Sequence, residues 1–445
     1  PTDEVYATLA RDLQQDLIVP VFFGSAEQSN GIRRLLKALR HEAPEAAETA
    51  ERLFLEIDSG ETTVQVFKTL HAGHTGKLSL ARVWSGLVTD GQVFGGKKIS
   101  GLNRVFGQKL DKIKKAAAGE VVALGRMNGV ATGDLLSACG GISSAPWPEP
   151  LKPLFSLAIH AENRSDEVKL SGALAKIIDE DPSISTESSP DTGELLLWGQ
   201  GEMHLLIALD RLKGRYNMKV ASGRSQVPYK ETIRKPVSRH ARHKKQSGGH
   251  GQFADVHLDI KPRPRGAGFE FSNTITGGVV PKQYIPAVEH GVKEYMVRGP
   301  LGFPVVDISV ILTDGQFHSV DSSDMAFKQA AALGMREGMP ECRPVLLEPV
   351  LQVSVSVPCD FTSKVQRLVS GRRGQILGFD AKPGWKGWDE VMALIPQTEM
   401  HDLIIDLRSA TLGVGTFEWS FDHLQELSGK VADGVIADRA AALRG

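Results

Sequence analysis

The chain has 445 residues, of which 41% are hydrophobic and 24% charged, a composition typical of globular proteins with about three to five domains at this length. Its formal net charge of -1 excludes a binding mode that relies on the charge of the whole chain, so any nucleic-acid contact must come from a local patch. Its three distant cysteines exclude a disulfide framework and are typical of a reducing compartment. The apolar run from Leu17 to Phe23 is too short to cross a bilayer. We therefore expect a cytoplasmic protein without a membrane partner.

The first segment has the pattern of a strand that leads into a helix. Residues 17–23 have the length and apolar character of a buried strand, and apolar residues recur at helical spacing from Ile32 to Leu39. A strand followed by a helix is half of a parallel α/β unit, and such a unit needs further strands. We therefore expect this chain to be part of a longer protein, with residues 1–46 as the end of an upstream domain.

Residues 47–146 contain short predicted strands separated by frequent glycines. The predicted strands cover residues 63–70, 76–84, 92–94, 120–124 and 134–137. Regular short strands with turn residues between them are typical of a small β-barrel. The proline-rich segment from Pro146 to Pro150 then indicates a domain boundary.

Two later segments share one predicted order of elements, which is strand, helix, strand, strand, helix, strand. These segments are residues 147–223 and residues 346–428. The order is that of the ferredoxin-like fold. Between them, residues 224–345 predict a mixed α/β domain, and residues 429–445 predict a terminal helix that returns to that domain.

The most distinctive local feature is a basic run that ends in glycines, from Arg234 to Gly251. Six Lys or Arg and three His residues occur there without an intervening acidic residue. Lysine and arginine neutralise phosphates without reading base sequence, and glycines let backbone N–H groups approach a ligand closely. The run predicts a phosphate-contacting strand followed by a glycine-rich loop, and the alternative is a solvated strand face before a turn. The candidate phosphate contacts are Arg239, Arg242, Lys244 and Lys245.

A second feature is His318, which lies just before a predicted helix that Asp321 or Ser322 can cap. The N-terminus of a helix favours an anion. Serine and aspartate beside a histidine also suggest a hydrolytic triad, but no Gly-x-Ser-x-Gly nucleophile elbow occurs. We therefore assign no catalytic residue here, and a loop histidine without a chemical role is the alternative.

Metal and nucleotide motifs are absent from the sequence at their usual spacings. The pairs His71/His74 and His240/His243 have no third ligand at such a spacing, so we predict no metal site. No Gly-x-x-x-x-Gly-Lys-Ser/Thr phosphate loop occurs. We therefore expect this chain alone neither to bind nor to hydrolyse GTP, and to need no cofactor.

Several motifs resemble those of elongation factor G, and they occur in the order of that family. Segments similar to its domain IV and the exit into domain V are residues 247–252 (Ser-Gly-Gly-His-Gly-Gln), 277–281, 302–307, 317–323 (Phe-His-Ser-Val-Asp-Ser-Ser) and 344–349. Segments similar to earlier domains are residues 190–194 and 199–205 for domain III, 76–86 for domain II, and 24–26 (Gly-Ser-Ala) for the guanine-side loop of the GTPase domain. The resemblance implies an α+β multi-domain fold with a GTPase-domain remnant, a β-barrel, two ferredoxin-like βαββαβ domains and a ribosomal protein S5 domain 2-like α/β domain.

The resemblance also implies a monomeric translational GTPase that promotes translocation of tRNA and mRNA on the ribosome. GTP and magnesium would be cofactors of the full-length protein only. By resemblance, the tip that faces tRNA and mRNA in the decoding region comprises Ser247, Gly248, Gly249, His250, Gln252 and His318. The residues that would face large-subunit RNA are Arg372 and Arg373, and those that would border the guanine in the full-length protein are Ser25 and Ala26.

Some positions depart from the family pattern and indicate a divergent paralogue. His250 stands where the family usually has arginine, and the loop from Gly384 to Trp388 is similar to an insertion. The alternative function is that of a related ribosome-associated GTPase of the protection or recycling type. A stand-alone RNA-binding module would need only the basic strand.

Overall fold

The structure, a computed structural model, describes residues 2–15, 17–53, 55, 61–72, 76–107, 109–144, 149–245 and 251–444. It is a mixed α/β multi-domain architecture with several sheets, as the sequence predicts. Contacts divide the chain into two compact units. One unit comprises residues 1–153, 161–186 and 206–221, and the other comprises residues 154–160, 187–205 and 222–445. None of the helices in the described residues is long and apolar enough to cross a membrane.

The elements are numbered in chain order. The α-helices are α1 Thr2–Gln14, α2 Ile32–Glu42, α3 Ala46–Arg52, α4 Glu167–Glu180, α5 Glu202–Tyr216, α6 Ile285–Met296, α7 Asp324–Gly338, α8 Thr362–Gly371, α9 Leu403–Ala410 and α10 Lys430–Ala442. The first strands are β1 Thr63–Ala72, β2 Gly76–Ser85, β3 Leu87–Thr89, β4 Val93–Phe94, β5 Lys97–Lys98, β6 Leu102–Phe106, β7 Lys109–Lys112, β8 Lys115–Ala117, β9 Val121–Gly125, β10 Asp134–Ser137 and β11 Gly141–Ser144. The remaining strands are β12 Phe155–Ala161, β13 Ser185–Ser188, β14 Leu195–Gly199, β15 Val220–Gly223, β16 Lys230–Ile233, β17 Val237–Lys245, β18 Gln252–Pro262, β19 Glu270–Asn273, β20 Ile308–Gln316, β21 Pro344–Pro358, β22 Gln375–Ala381, β23 Trp388–Pro396 and β24 Thr416–Leu427.

The apolar run at residues 17–23 is not the buried strand that the sequence predicts. No strand is assigned there, and Val19 and Phe23 are 85% and 90% exposed. A β-strand needs a neighbouring strand to accept and donate its backbone hydrogen bonds, and among the described residues none lies beside this run. The helix that was expected next is confirmed as α2.

The segment predicted as a barrel forms a seven-stranded sheet in the order β11-β10-β1-β2-β9-β6-β7. Its core contains alternate residues of neighbouring strands, such as Val64 and Val66 on β1 and Ala81 and Val83 on β2. Six strands in the described residues of this segment were not predicted, and two of them, β5 and β7, are short and rich in lysine. The other four are β3, β6, β8 and β11. No pairing joins the edge strands β7 and β11 in the described residues, so a closed barrel stays a prediction.

Both ferredoxin-like segments have the strand order of that fold. The first sheet runs β13-β14-β12-β15, and the second contains β22-β23-β21 with β24 beside β21. In each sheet the first strand in chain order (β12 or β21) therefore lies between the third strand (β14 or β23) and the fourth strand (β15 or β24). The shared order confirms the repeated plan that was read from the sequence. In the second sheet, β16 also pairs with the start of β21.

The segment between them folds as a four-stranded sheet in the order β17-β18-β20-β19, with β19 parallel to β20. Alternate residues of β18, including Val256 and Leu258, are buried in a core shared with α6 and α7. Phe327 and Met335 of α7 are fully buried in that core. The opposite face of β17 and β18 carries the polar residues, as strand alternation requires.

Glu231 on β16 is a buried acid at the junction of this domain with the second ferredoxin-like sheet. Its side chain is fully buried, Leu301 N donates to its Oε2 at 2.7 Å, and its Oε1 has no hydrogen-bond partner in the described residues. A β-carbon added at Gly299 would overlap Oε1, so the chain approaches the carboxyl group closely. Burial raises the pKa of Glu231 from 4.5 to about 8, although the Leu301 hydrogen bond opposes this. Glu231 is therefore protonated in the folded chain at neutral pH.

We expect the free energy of unfolding of the unit that contains Glu231 to fall as pH rises from about 4.5 to about 8. In that window the unfolded chain releases the proton while the folded chain retains it, which costs about 1.4 kcal/mol per pH unit. Below the window both states are protonated, and above it both are ionised. Glu231→Gln should remove this slope, as measured by chemical denaturation across the window.

The matched control is Glu270→Gln, because the Glu270 side chain is 55% exposed. This variant should keep the slope of the parent chain. A parent chain whose stability does not change across the window would contradict the assignment of a protonated Glu231.

Candidate nucleic-acid interface

The basic run folds as β17, whose outward face is continuous with that of β18. Strand register places Lys244 opposite Phe253 at the end near the glycine-rich segment, and Arg242 opposite Asp255 one row further back. Directly opposed residues of an antiparallel pair share a face. Lys244 and Phe253 therefore lie on the same outward surface.

The cations of β17 differ in whether they have carboxylate partners. Arg239 donates to Glu337 at 2.8 and 3.0 Å and to Glu341 at 3.2 Å. The hydrogen bond to Glu337 is the main reason that the pKa of Arg239 is raised. Lys244 and Lys245 are exposed, and among the described residues no carboxylate lies within ion-pair distance of either. The positive charge without a carboxylate partner therefore lies at the end of β17 that leads into the glycine-rich segment.

Asp255 on β18 compensates the positive charge of Arg242 in the middle of β17. Its side chain is fully buried, and it accepts hydrogen bonds from Arg242 Nε at 2.7 Å and from His240 Nε2 at 2.8 Å. Burial raises the pKa of Asp255, but the bonds and charges from His240 and Arg242 outweigh burial, so the pKa lies below its usual value. The predicted phosphate contact at Arg242 therefore has an ionised internal partner.

His318 is held by backbone groups of its own loop. The ring atom Nδ1 accepts hydrogen bonds from Asp321 N at 3.2 Å and from Val320 N at 3.4 Å. The backbone N–H of His318 donates to Ser322 Oγ at 2.9 Å. A neutral imidazole that accepts at Nδ1 carries its hydrogen on Nε2. Protonation would let Nδ1 donate to Asp321 Oδ2, which is 3.3 Å away, and Nε2 would keep its hydrogen. The half-exposed ring therefore offers a donor at Nε2 in both states.

The His318 loop is tied to the start of β18 by three hydrogen bonds. Gly251 N donates to Asp321 Oδ1 at 3.1 Å, Phe253 N donates to Asp321 O at 2.9 Å, and Ser322 Oγ donates to Phe253 O at 2.7 Å. The rings of Phe253 and His318 also meet edge to face at 6.4 Å. Because Lys244 is the cross-strand neighbour of Phe253, one surface brings together the basic strand end and the histidine loop.

The helix cap differs from the sequence prediction. Ser323 caps α7, and its Oγ accepts from Ala326 N at 3.3 Å. Asp321 and Ser322, which were expected to cap, bond to β18 instead. A series of Asp and Ser residues before a helix does not reveal which one caps, because all can accept an N–H bond.

The glycine-rich tip can be described only in part. Ser247, Gly248, Gly249 and His250 lie outside the described residues. Gln252 begins β18, and its Oε1 lies 3.1 Å from His243 Nε2. The assignment of these residues to an RNA-facing tip therefore stays a prediction.

Three family models match consecutive parts of the chain. "Elongation Factor G, domain III" matches residues 151–224, "Elongation factor G, domain IV" matches residues 225–343, and "Elongation factor G C-terminus" matches residues 345–435. Together they cover more than half of the chain. The chain belongs to the elongation factor G-like family.

Two relatives of this family extend the likeness to nearly the whole chain. An "Elongation factor G-like protein" of Synechocystis sp. is 53% identical over 439 residues, which are 98% of this chain. A crystal structure of a protein from Thermus thermophilus superimposes with a TM-score of 0.77, at 32% identity and over 98% of this chain. This chain spans 65% of the length of each relative.

Arg372 and Arg373, which were also carried over from the elongation factor G resemblance, follow α8 in the second ferredoxin-like segment. Arg372 donates to Asp406 and to the carbonyl of Glu399, and Arg373 donates to Glu348 at 2.9 and 3.0 Å and to Glu399 at 2.9 Å. The Glu348 bond is the main reason that the pKa of Arg373 is raised. Both guanidinium groups thus have internal partners, and contact with large-subunit RNA stays a prediction.

The segment that resembles the guanine-side loop, residues 24–26, is part of a small closed turn. The backbones of Ser25 and Asn30 exchange two hydrogen bonds of 3.1 Å, and Ala26 O accepts from Ser29 N at 3.2 Å. A β-carbon at Gly24 would lie 2.7 Å from Asn30 O, so glycine is needed at that position. The predicted place of Ser25 and Ala26 beside the nucleotide is not tested by this geometry.

Sequence reasoning missed the structural roles of Gly251, Phe253 and Asp321. The Gly251–Asp321 bond joins residues 70 positions apart, and no local pattern announces a contact at that separation. A β-carbon at Gly251 would lie 2.9 Å from the carboxyl carbon of Asp321. The signal available in the sequence was a glycine directly before a strand, which can indicate a close backbone approach.

We expect Gly251→Ala to loosen the His318 loop. The added β-carbon displaces the Asp321 carboxylate and breaks its bond to residue 251, which costs about 1 kcal/mol and opens the loop about fivefold more often. Hydrogen–deuterium exchange of the peptide spanning residues 317–322 should accelerate accordingly. Gly434→Ala is the control, since nothing lies within 4 Å of a β-carbon there. Unchanged exchange in Gly251→Ala would show that the contact does not hold the loop.

Proposed function

We propose that this chain is part of a translational GTPase that promotes the movement of tRNA and mRNA on the ribosome. The supporting observation is the single surface that joins Lys244, Phe253 and His318 beside the glycine-rich segment. Residues 247–252 of that segment and residues 317–323 match the two tip loops of the elongation factor G pattern. Membership of the elongation factor G-like family supports the ribosome as the partner.

The chemistry of this surface suits an RNA backbone of any sequence. On this surface Lys244 supplies an ammonium group that neutralises phosphates, and His318 Nε2 supplies a hydrogen-bond donor for a phosphate or 2′-hydroxyl oxygen. Lys245 alternates to the other face of β17, opposite Gln252, and adds its ammonium group at the end of the strand. None of these groups needs to read a base edge. A factor that acts on every codon requires such sequence-neutral contacts.

The fixed orientation of His318 supports its role as a contact. Its ring is held by two backbone donors and by the edge of Phe253, so little rotamer freedom remains to be lost on binding.

GTP and magnesium would serve the full-length protein. We propose that the GTPase domain of the full-length protein holds the phosphates and the metal ion, since no phosphate-loop motif occurs in this chain. The turn at Ser25 and Ala26 would border the guanine. GTP hydrolysis there would accompany the rearrangement that moves the tip.

We expect His318→Ala in the full-length protein to slow single-round translocation by about tenfold, which corresponds to the loss of one hydrogen bond. Ribosome-stimulated GTP hydrolysis should stay nearly unchanged, because the histidine acts at the tip and not at the nucleotide. His290→Ala is the control, since His290 is exposed on α6 of the same domain. Equal loss of both activities in His318→Ala would argue against a tip role.

We expect Lys244→Ala/Lys245→Ala to weaken ribosome binding and to lower its salt slope by up to about two units, because two phosphate contacts are lost. Binding is measured by sedimentation or fluorescence across a salt series. Arg239→Gln is the control, and because Glu337 and Glu341 already compensate Arg239, its slope should change little. An unchanged slope in the double-lysine variant would favour a solvated strand face.

A translocation assay with the full-length protein as the sole factor distinguishes the proposed activity from its alternative. Movement of tRNA and mRNA supports the proposal. Ribosome-stimulated GTP hydrolysis without movement would instead favour a ribosome-associated GTPase of the protection or recycling type.

A further inference from the structure

A second cluster of functional side chains lies on the outward face of β17 and β18, behind the RNA-facing end. His240 and His257 are directly opposed across the two strands, and their rings stack with centroids 4.2 Å apart and planes at 10°. Asp255 lies two residues before His257 on β18. Its side chain is fully buried, while the two imidazoles are about half exposed. The cluster is thus a buried carboxylate covered by two accessible imidazoles.

Both imidazole Nε2 atoms lie near the Oδ1 atom of Asp255, and His240 Nε2 is also 2.9 Å from Oδ2. His240 Nε2 lies 2.8 Å from Asp255 Oδ1, and His257 Nε2 lies 3.7 Å from the same atom. The three ligand atoms all lie within 4.8 Å of one another. Ligands about 2.1 Å from a shared Zn²⁺ ion are roughly 3–3.4 Å apart at tetrahedral or octahedral angles. The distances to Oδ1 lie on either side of that range. Because the two ring planes are nearly parallel, both exposed rings must turn out of their stack for their Nε2 lone pairs to meet at one ion.

An internal hydrogen-bond network does not fully account for the cluster. His257 Nε2 is too far from Asp255 Oδ1 for a hydrogen bond, and in the described residues the ring makes no other hydrogen bond. Its cross-strand neighbour on β20 is Asp314, whose Oδ1 accepts from Gly315 N at 2.8 Å. A ring nitrogen aimed at a buried carboxylate without reaching it leaves room for an atom between them.

The second carboxylate oxygen is held in place by Arg242. Arg242 Nε donates to Asp255 Oδ2 at 2.7 Å. A ligating carboxylate is commonly oriented by such a hydrogen bond on its other oxygen. Arg242 would therefore fix Asp255 as a ligand through one oxygen, with Oδ1 directed at the two imidazoles. The guanidinium charge disfavours a hard cation and leaves nitrogen ligands as the main source of affinity.

We propose that His240 Nε2, His257 Nε2 and Asp255 Oδ1 form a binding site for one divalent transition-metal ion of the zinc class. Two imidazoles and one carboxylate are ligands that suit Zn²⁺ and Co²⁺, and three protein ligands leave positions open to water. The cluster does not overlap Lys244, Lys245 or His318, so it is independent of the proposed contact with RNA.

The sequence pattern did not reveal this cluster, because its members lie on two strands. The pair His240/His243 has no third ligand at usual spacing, but His243 alternates to the other face of β17, where it meets Gln252. The partners of His240 come from β18 through strand register. Cross-strand ligands leave no local spacing pattern.

The test is metal binding by the chain after removal of metals with a chelator. Zn²⁺ is titrated by calorimetry, and Co²⁺ is titrated by its visible absorption bands, which report nitrogen ligation. We expect the parent chain to bind about one equivalent of metal ion more than either His257→Gln or His240→Gln. If a variant still binds the ion, its affinity should be lower than that of the parent chain by more than about tenfold. Zn²⁺ should also raise the melting temperature of the parent chain and not that of the variants.

His243→Gln is the matched control, because it removes a histidine of the same strand from the opposite face. It should bind Zn²⁺ and Co²⁺ as the parent does. Circular dichroism identifies any variant that fails to fold, and the two ligand variants provide independent tests. Absence of binding to the parent chain, binding that survives both ligand variants, or binding that His243→Gln abolishes would each overturn the proposal.

Discussion

The hydrogen bond from Gly251 N to Asp321 Oδ1 is the constraint on which the candidate interface depends. It joins the residue that follows the glycine-rich segment to the loop that carries His318, at 3.1 Å. Only glycine allows this approach without displacing the carboxylate, since a β-carbon would lie 2.9 Å from it. Without this bond, the histidine loop would be connected to β18 only through Phe253. The Gly251–Asp321 bond, together with the two hydrogen bonds of Phe253, thus holds His318 beside the basic strand.

The charge of the basic strand is smaller than its composition suggests. Arg239 is compensated by carboxylates at the end of α7, and Arg242 is compensated by buried Asp255. Paired cations contribute to packing and orientation more than to an external field. Lys244 and Lys245 retain free charge because the residues opposite them on β18, Phe253 and Gln252, are not acids. The cross-strand neighbours, and not the number of cations, therefore determine where the domain can attract a polyanion.

The sequence predicted the element order of both ferredoxin-like segments, because their periodic apolar faces are long. It failed for residues 17–23, since an apolar run has the same pattern whether or not a neighbouring strand is present to pair with it. It also failed for short lysine-rich strands such as β5, whose residues carry no alternation. In the candidate site, His318 and the lysines were found from local motifs. Asp255, Phe253 and Asp321 were not, because their roles arise from contacts between residues distant in sequence.

The groups that this surface offers to a ligand share one property. Lys244 can only donate hydrogen bonds, as can Lys245 at the strand end, and His318 offers a donor at Nε2 because its Nδ1 is occupied by backbone N–H groups. The nearby acceptors on Asp321 and Ser322 are engaged with Gly251 and Phe253. A surface that offers donors and few free acceptors complements phosphate and sugar oxygens but discriminates poorly among base edges, which present both kinds of group. The internal bonds that hold the loop thus also determine that its contacts would be independent of sequence.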